Sequence, residues 1–395
     1  TITADSNGNL YAGFIADGGN WQNGGSDSGM YVAKSTDGGQ TWGTPVQVAY
    51  DGPPASPSDP TYRFNDRCQI TVGQDPQTGN DNVYVAWIKD RGFNQSTPSS
   101  DVYVARSTDG GASFTNSTPF PINLNTNNLG NMPIPVVDAN NDVYVSWLDY
   151  NVQTGGLGNV YMRKSTDGGQ TFPNWDATNP DHPVTTINLP PLRVFRADNS
   201  TDALAKGAPV LAAHPTNAGE LYMTYAADPD GPGGDDGDIY FIKSTDGGQN
   251  WSSTPLRVNW DDGTRNDQIM PWMSVKPNGT IDVAWYDRRD DAADADWHVY
   301  IANSTDGGIG FSPNVCVSDN NAPTPMYSPT YGGWMGEYLG LTTDQTDAYV
   351  AWSSSLVDPN GDIYFDSMSN FAIPEPTCVL LLGLGGALAV WRRRC

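Results

Sequence analysis

The sequence is poor in cysteine and histidine, the residues that most often bind zinc. Only four of its 395 residues are cysteine, no two form a C-x-x-C pair, and the three histidines are scattered. This pattern excludes a disulfide-rich scaffold and argues against a structural zinc site. The sequence also contains no H-E-x-x-H motif, no phosphate-binding loop and no Ser or Cys constellation typical of a nucleophile. Several common classes of enzyme are therefore excluded.

Basic residues and glutamate are scarce as well. Lysine and arginine number 20 against 45 acidic residues, so the formal net charge is −25, and only three acidic residues are glutamate. A field of this sign repels phosphate groups, so we expect no nucleic-acid partner and no anionic membrane surface for the main body. Solubility and turn formation explain most of the aspartates, and Ca²⁺-binding loops are the alternative.

Long helical periodicity is missing, and turn residues are abundant instead, with 43 Gly and 30 Pro. One octapeptide occurs five times, as S-T-D-G-G-Q-T-W at 35–42 and as near-copies at 107–114, 165–172, 244–251 and 304–311. Its Asp can accept backbone N–H groups and its glycines allow positive φ, while its last aromatic residue is expected to plug the turn into the core. The chain is therefore an array of one repeated unit.

Strand-like runs surround each octapeptide. A run such as N-V-Y-V-A-W at 82–87 or D-V-Y-V-S-W at 142–147 precedes it, with a shorter apolar run before that. One unit is thus three strands, the octapeptide turn and a fourth strand, which is a propeller blade. Four tryptophans that recur at one strand position are expected in the core: Trp87, Trp147, Trp285 and Trp352.

The predicted fold class is all-β, a six-bladed β-propeller of four-stranded antiparallel blades, plus a short C-terminal hydrophobic helix. Six units fit between residues 1 and 371, and the sixth has neither an octapeptide nor a fourth strand. We expect the propeller to be N-terminally incomplete, with the missing strand supplied from upstream of Thr1, because sharing a blade between termini removes an exposed sheet edge.

Residues 372–395 form a separate tail. Pro-Glu-Pro at 374–376 is followed by an uncharged run at 378–391 and three arginines at 392–394. The run is short for a full bilayer span, and the arginines would stay in the cytoplasm. This order resembles the PEP-CTERM sorting signal of Gram-negative bacteria. The resemblance implies export, processing by an exosortase-type enzyme, transient membrane anchoring, and delivery to the cell surface or extracellular matrix.

The octapeptides resemble the Asp-box, or BNR repeat, of sialidases and related propellers, over about 370 residues. Asp-boxes also occur in propellers that are not sialidases. The resemblance implies a structural role for the Asp of each box: Asp37, Asp109, Asp167, Asp246 and Asp306.

Candidate binding residues lie where strand one starts and strand two ends, opposite the octapeptides. An arginine at these positions can form a bidentate ion pair with the carboxylate of a sugar, and Asp and Tyr can form hydrogen bonds with sugar hydroxyls. Salt bridges between blades are the alternative explanation of the Asp-Arg pairs. The predicted substrate-binding residues are Asp66, Arg67, Asp90, Arg91, Asp149, Tyr286, Arg288, Arg289 and Glu337.

The sialidase resemblance implies a Tyr nucleophile assisted by a Glu, an Asp acid/base and three arginines on the sugar carboxylate. Tyr338 is the candidate nucleophile and Asp287 the second catalytic candidate. Glu337 would point away from Tyr338, Glu220 faces the octapeptide side, and the Arg-Ile/Leu-Pro motif is missing.

Two hypotheses therefore remain. The favoured one is a non-catalytic carbohydrate-binding or matrix protein that engages extracellular glycans. The other is an exo-sialidase-type glycoside hydrolase acting on acidic sugars.

No cofactor is expected with certainty. A structural Ca²⁺ could be held by carboxylates in one acidic stretch, although the spacing does not match an EF-hand and a solvated loop is favoured. The candidate ligands are Asp228, Asp230, Asp235, Asp236 and Asp238.

Overall fold

The computed structural model describes residues 1–17, 27–52, 63–91, 99–118, 120–123, 129–150, 157–173, 183–189, 208–229, 237–261, 266–291, 297–318, 339–354 and 362–369. Every regular element within these ranges is a β-strand. They contain no helix that is long and apolar enough to cross a bilayer. The predicted tail and its helix lie outside them.

Six successive repeats account for the strands. Repeat 1 contains β1 (Ile2–Ala4), β2 (Leu10–Asp17), β3 (Ser28–Ser35) and β4 (Val46–Asp51), and repeat 2 contains β5 (Arg63–Gln74), β6 (Asp81–Arg91), β7 (Ser99–Ser107) and β8 (Thr115–Asn116). Repeat 3 contains β9 (Leu129–Val137), β10 (Val143–Tyr150), β11 (Leu157–Ser165) and β12 (Thr185–Asn188). Repeat 4 contains β13 (Val210–Ala213), β14 (Leu221–Ala227), β15 (Asp238–Ser244) and β16 (Leu256–Arg257). Repeat 5 contains β17 (Gln268–Val275), β18 (Ile281–Asp287), β19 (His298–Ser304) and β20 (Val315–Cys316), and repeat 6 contains β21 (Gly340–Thr343), β22 (Asp347–Ser354) and β23 (Asp362–Ser369).

Strands that follow each other within a repeat pair antiparallel. Repeats 1, 4 and 5 are four-stranded sheets in chain order, and a single parallel bridge between Ser100 and Leu129 joins repeats 2 and 3 into one sheet. Repeat 6 has three strands among the described residues. The predicted all-β, four-stranded antiparallel pattern is confirmed, and six such repeats are consistent with a six-bladed propeller.

The chain divides into two compact units. The first holds the described residues of 1–189, 208–223 and 243–252, and the second holds those of 224–242 and from 253 onwards. Each has its own apolar core. One cluster of the first unit forms around Trp87, Tyr11 and Val85, and that of the second forms around Tyr286, Trp297 and Trp352.

A stacked aromatic pair links strands two and three in every repeat. Trp87 stacks on Tyr103 at 5.5 Å between ring centroids, and Trp285 stacks on Tyr300 at 6.4 Å. Such cross-strand pairs stabilise a sheet beyond simple burial. All four recurrent tryptophans are buried, as predicted. The other pairs are Phe14–Tyr31, Trp147–Tyr161, Tyr225–Tyr240 and Trp352–Tyr364.

The five octapeptides share one hydrogen-bond pattern. The Ser hydroxyl donates to the Asp carboxylate at 2.6 to 2.8 Å. The same hydroxyl accepts the N–H of the second glycine at 2.8 to 2.9 Å. Hydrogen bonds from Thr41 hold the pKa of Asp37 at about 2. The turn is thus closed from within by an ionised carboxylate.

The last residue of the octapeptide differs from the expectation of a buried plug. Phe172 and Phe311 are buried, but Phe114 and Trp251 are half-buried and Trp42 is 39% exposed. Trp251 keeps its indole N–H on the turn carbonyl of Gly248 at 3.1 Å, which holds the ring beside the turn. The last residue of the octapeptide therefore reaches the core only in some repeats.

A polar triad lies at the octapeptide end of strand two. In repeat 3, Tyr144 donates its hydroxyl to Asp138 at 3.3 Å, and Lys164 lies 5.2 Å from the centre of the tyrosine ring. Similar tyrosine-to-carboxylate bonds occur in other repeats: Tyr11 to Asp5, Tyr222 to Glu220, and Tyr349 to Asp344. Glu220 thus lies at the octapeptide end, as the sequence predicted.

Repeat 5 rearranges this triad. Its register places Lys276 at the carboxylate position, Asp282 at the tyrosine position and Asn303 at the cation position. Lys276 lies 3.6 Å from Asp282 and donates to the Thr346 carbonyl at 2.9 Å. Burial raises the pKa of Asp282 to about 6, and Lys276 opposes the rise.

Candidate functional site

The predicted site residues that the structure describes lie at the strand ends opposite the octapeptides, which we call the distal ends. In repeat 5, Ile281 pairs with Ser304 of the octapeptide, whereas Asp287 at the other end of β18 pairs with His298. Repeat 2 follows the same plan, because Asp90 is at the end of β6 remote from its octapeptide.

Asp287 and Arg289 form a bidentate ion pair at the distal end of repeat 5. Arg289 Nε and Nη2 donate to the two carboxylate oxygens at 2.9 and 2.5 Å, and Trp285 adds its indole N–H at 2.7 Å. The guanidinium lies 4.3 Å from the ring centre of Tyr300, whose hydroxyl bonds the exposed Asp290. Burial raises the pKa of Asp287, and the bonds from Arg289 oppose the rise. Breaking such a buried pair costs about 3–5 kcal/mol.

Arg288 points to a different partner. Its guanidinium donates to Asp267 at 3.2 Å and lies 3.9 Å from the ring centre of Trp297. Tyr286 is buried beside it and accepts the Ser353 N–H at 3.1 Å. Both predicted arginine clamps of repeat 5 are therefore occupied by carboxylates of the chain itself.

A buried polar network lies next to this pair. The Asn259 amide nitrogen is 2.6 Å from Asp238, 2.7 Å from Asp261 and 2.8 Å from Gln268. Its oxygen accepts the Ile239 N–H at 2.9 Å, which fixes the orientation of the amide. Gln268 donates to Asp261 at 3.0 Å. The network connects three strand ends and is closed to solvent, so it holds the surrounding backbone in one geometry.

Trp260 is the exposed residue that this framework holds in place. Its side chain is 54% exposed, while its N–H bonds Asn314 at 2.5 Å and its carbonyl accepts Arg289 Nη1 at 3.0 Å. An exposed tryptophan on a fixed backbone is a flat apolar platform beside polar groups. We call Trp260, Arg257, Arg289 and Asp290 the Trp260 site.

A second distal cluster belongs to repeat 2. Asp66 lies 3.7 Å from Arg67 Nε, and Ser100 donates to Asp90 at 2.6 Å. Arg67 Nη1 is also 3.9 Å from the Met132 sulfur. Burial raises the pKa of Asp90 to about 7, the bond from Ser100 and the charge of Arg67 oppose the rise, and the charge of Asp66 adds to it. A carboxyl that keeps a proton near neutral pH can act as a general acid.

Arg67 occupies a strained position that recurs. A β-bulge interrupts strand one of repeats 2, 3 and 5. The bulge residues have positive φ without being glycine: Arg67 at 60°, Met132 at 49° and Met270 at 51°. Bulges of this kind re-aim a side chain and are frequent beside functional sites. Repeat 2 alone of these three places a charged group there.

The remaining predicted residues are less informative. Asp149 is buried at the distal end of repeat 3, and the Arg91 backbone pairs with Ser99. Glu337 and Tyr338, the predicted nucleophile, lie outside the described residues, so their predicted roles stay predictions.

Two groups of residues bear on metal binding. Of the predicted Ca²⁺ ligands, Asp230, Asp235 and Asp236 lie outside the described residues, whereas Asp228 is buried and Asp238 contacts Asn259 and Arg257. The liganding atoms of Asp290, His298 and Cys316 lie within 4.8 Å of one another. Cys316 is disulfide-bonded, so its sulfur does not offer the thiolate that such a site needs.

The sequence analysis missed the Trp260 site and its network. Trp260 stands in the run R-V-N-W-D-D at 257–262, outside the strand position where the recurrent tryptophans lie. That departure from the repeat was a usable signal. Asn259 and Gln268 carried no such signal, because their role depends on contacts among β15, β17 and the segment after β16.

No protein-family model matches the sequence, and no curated protein matches it. Solved structures do match. A Hadza microbial sialidase has a TM-score of 0.53 at 16% identity, with 94% of this chain and 65% of that chain covered. The GH93 α-L-arabinofuranosidase of Fusarium graminearum, solved with arabinobiose, has a TM-score of 0.53 at 15% identity. The match covers 93% of this chain and 92% of that chain. The sialidase of Trypanosoma rangeli, solved with sialic acid, has a TM-score of 0.51 at 12% identity. The match covers 92% of this chain and 53% of that chain.

The chain thus spans less than two thirds of both sialidases and nearly all of the arabinofuranosidase. At such low identity the likeness establishes architecture and leaves activity open. The chain shares the fold of the sialidase and arabinofuranosidase β-propellers, with their four-stranded antiparallel sheets.

Proposed function

We propose that this protein is an Asp-box β-propeller that engages extracellular glycans through its distal ends, as a carbohydrate-binding or matrix protein. Two of its structural neighbours were solved with sugars, arabinobiose and sialic acid. The tail motif at 374–394 supports export by a PEP-CTERM and exosortase route and retention at the bacterial surface.

The observation that carries this proposal is the exposed Trp260 on a rigid polar framework. The C–H groups of a sugar ring pack on an indole, and the hydroxyl groups of the sugar form hydrogen bonds with carboxylates and guanidinium groups beside that indole. Asp290 is exposed, and the Arg257 side chain is 35% exposed. Because the network fixes the backbone on both sides of Trp260, little ordering is needed on binding.

Trp260→Ala tests the proposal. Glycan-array and calorimetric binding should be lost or weakened at least tenfold, because the exposed ring is removed while the backbone bonds of residue 260 remain. Trp42→Ala is the matched control, since Trp42 is 39% exposed but belongs to an octapeptide. A protein that binds no glycan, or whose binding survives Trp260→Ala and fails in Trp42→Ala, contradicts the proposal.

A glycoside hydrolase is the second candidate, and Asp90 favours it. Asp90 has a pKa of about 7 and lies near a second carboxyl, Asp66. Glycoside hydrolases use a pair of carboxyl groups, one of which donates a proton. Asp287 is less suited to proton transfer because Arg289 and Trp285 already use both of its oxygens.

A panel of fluorogenic glycosides, including sialosides and arabinofuranosides, tests this candidate. Activity should fall above about pH 7 as the acid loses its proton, and Asp90→Asn should abolish it. A panel without turnover removes the hydrolase and leaves the binding role in place.

A further inference from the structure

We infer that the Trp260 site takes a neutral, hydroxyl-rich sugar and discriminates against carboxylated ones. The inference rests on the proposed function, and it reverses the preference for acidic sugars that the arginines suggested from the sequence.

The first support is that the arginines at this site are already occupied. Arg289 is bidentate to Asp287, and Arg257 lies 3.3 Å from Asp238 and 3.8 Å from Asp261. A carboxylated sugar could fork Arg289 only by displacing Asp287. That displacement would leave a fully buried carboxylate without its counter-ion, a strongly unfavourable state.

Arg288 does not change this conclusion. Its guanidinium is 7% exposed and is paired with Asp267, whose side chain is 3% exposed. An acidic ligand would have to enter a closed ion pair to reach it.

The second support is the sign of the local charge. Among the described residues at this site, three arginines face five aspartates, and the aspartate of these five that is exposed to solvent is Asp290. A formal net charge of −25 over the chain adds to the same field. An approaching carboxylate is therefore repelled, whereas a neutral sugar is not.

The third support is that the groups present suit hydroxyls. Asp290 can accept a hydroxyl hydrogen in a charge-assisted bond, and the exposed part of Arg257 can donate to a hydroxyl oxygen. Trp260 supplies the apolar surface against which a ring can pack, and that contact carries no charge requirement.

Matched oligosaccharides that differ only at the carboxyl provide the test. Oligogalacturonides and their carboxyl-reduced counterparts have the same length and linkage. Isothermal titration calorimetry should show the reduced form binding at least tenfold more tightly. Raising the salt concentration should strengthen the weak binding of the acid, because salt screens the repulsion, and should leave the neutral sugar unchanged.

Two variants locate the effect. Trp260→Ala should abolish binding of the neutral oligosaccharide, with Trp42→Ala as the control. Asp290→Asn should reduce the difference in affinity between the neutral and the carboxylated oligosaccharide. Equal or tighter binding of the acid, weakened by salt, overturns the inference and leaves glycan binding intact. Neutral binding that is unaffected by Trp260→Ala also overturns it. Failure of every glycan to bind overturns the proposed function along with it.

Discussion

Asp90 and Asp287 end the second strands of repeats 2 and 5, yet their carboxyls have different surroundings. Asp287 accepts hydrogen bonds from the Arg289 guanidinium and the Trp285 indole N–H, whereas Asp90 accepts one from the neutral hydroxyl of Ser100. A charged partner compensates burial and a hydroxyl does so only weakly. Asp90 is therefore the carboxyl of the two that lacks a charged hydrogen-bond partner among the described residues, and its pKa is raised to about 7.

This difference makes Asp90 a source of pH-dependent stability. Its folded pKa of about 7 lies above the unfolded value of 3.8, so its contribution is fully present below about pH 4 and is lost as the pH rises to about 7. We expect Asp90→Asn to remove this loss, of which about 3 kcal/mol falls between pH 5 and pH 8. Calorimetric melting at pH 5 and pH 8 should show the variant gaining on the native protein at the higher pH. The exposed Asp362→Asn is the control, and an equal gain there would contradict the prediction.

The location of these carboxyls was predictable, but their partners were not. Period-two alternation and the octapeptide positions place Asp66, Asp90 and Asp287 at one end of the strands. Which arginine each carboxylate pairs with depends on loop conformation, as with Arg289 reaching back two residues to Asp287. Contacts of this kind leave no period in the sequence.

The octapeptide is the element that recurs most closely, but its copies differ in how deeply they are buried and in whether they contact a neighbouring repeat. In repeat 3, Gly169 and Phe172 are buried, and the Phe172 N–H bonds Thr118 of repeat 2 at 2.7 Å. In repeat 1, Asp37 and Trp42 are exposed. The same eight residues thus join two repeats in one case and close only a local turn in the other.

We therefore expect Asp167→Ala to destabilise the protein more than Asp37→Ala. Both variants remove the acceptor of the turn, which at Asp167 serves the Ser165 hydroxyl and the exposed N–H groups of Gln170 and Thr171. The turn of Asp167 also bonds repeat 2 through Phe172, so its loss should cost about 1–3 kcal/mol and exceed that of Asp37. Thermal melting measures the difference, and glycan binding should be unchanged in both variants. Lost binding at native stability would show that the octapeptide has a role beyond structure.

Over the whole chain, the six repeats could be read from the sequence because their strands recur with an aromatic residue at one position, and because five of the six repeats carry the octapeptide. The loop lengths between repeats vary. Trp260 lies in one such loop and therefore had no counterpart in the other repeats from which to predict its role. The tail at 372–395 has no counterpart in any repeat either, and its role rests on its motif.

If the tail anchors the protein as proposed, deleting residues 374–395 should release it from the cell surface. The uncharged run at 378–391 and the arginines after it are the only anchor-like feature in the sequence. Fractionation of cells that express each form measures the effect. Truncated protein in the membrane pellet would be incompatible with a tail anchor. Alanine at Pro374 and Pro376 is the companion variant, which should stay membrane-bound and unprocessed.

The rearranged triad of repeat 5 bears on how similar repeats find their correct neighbours during folding. Asp138 of repeat 3 accepts the N–H of Gly219 in repeat 4, whereas Lys276, at the same position of repeat 5, donates to the carbonyl of Thr346 in repeat 6. Near-identical segments tend to assemble with the wrong partner. If repeats 4 and 6 exchanged places, a donor would face a donor and an acceptor would face an acceptor. The direction of this hydrogen bond, from repeat 4 to repeat 3 but from repeat 5 to repeat 6, thus helps to specify which repeats pack side by side.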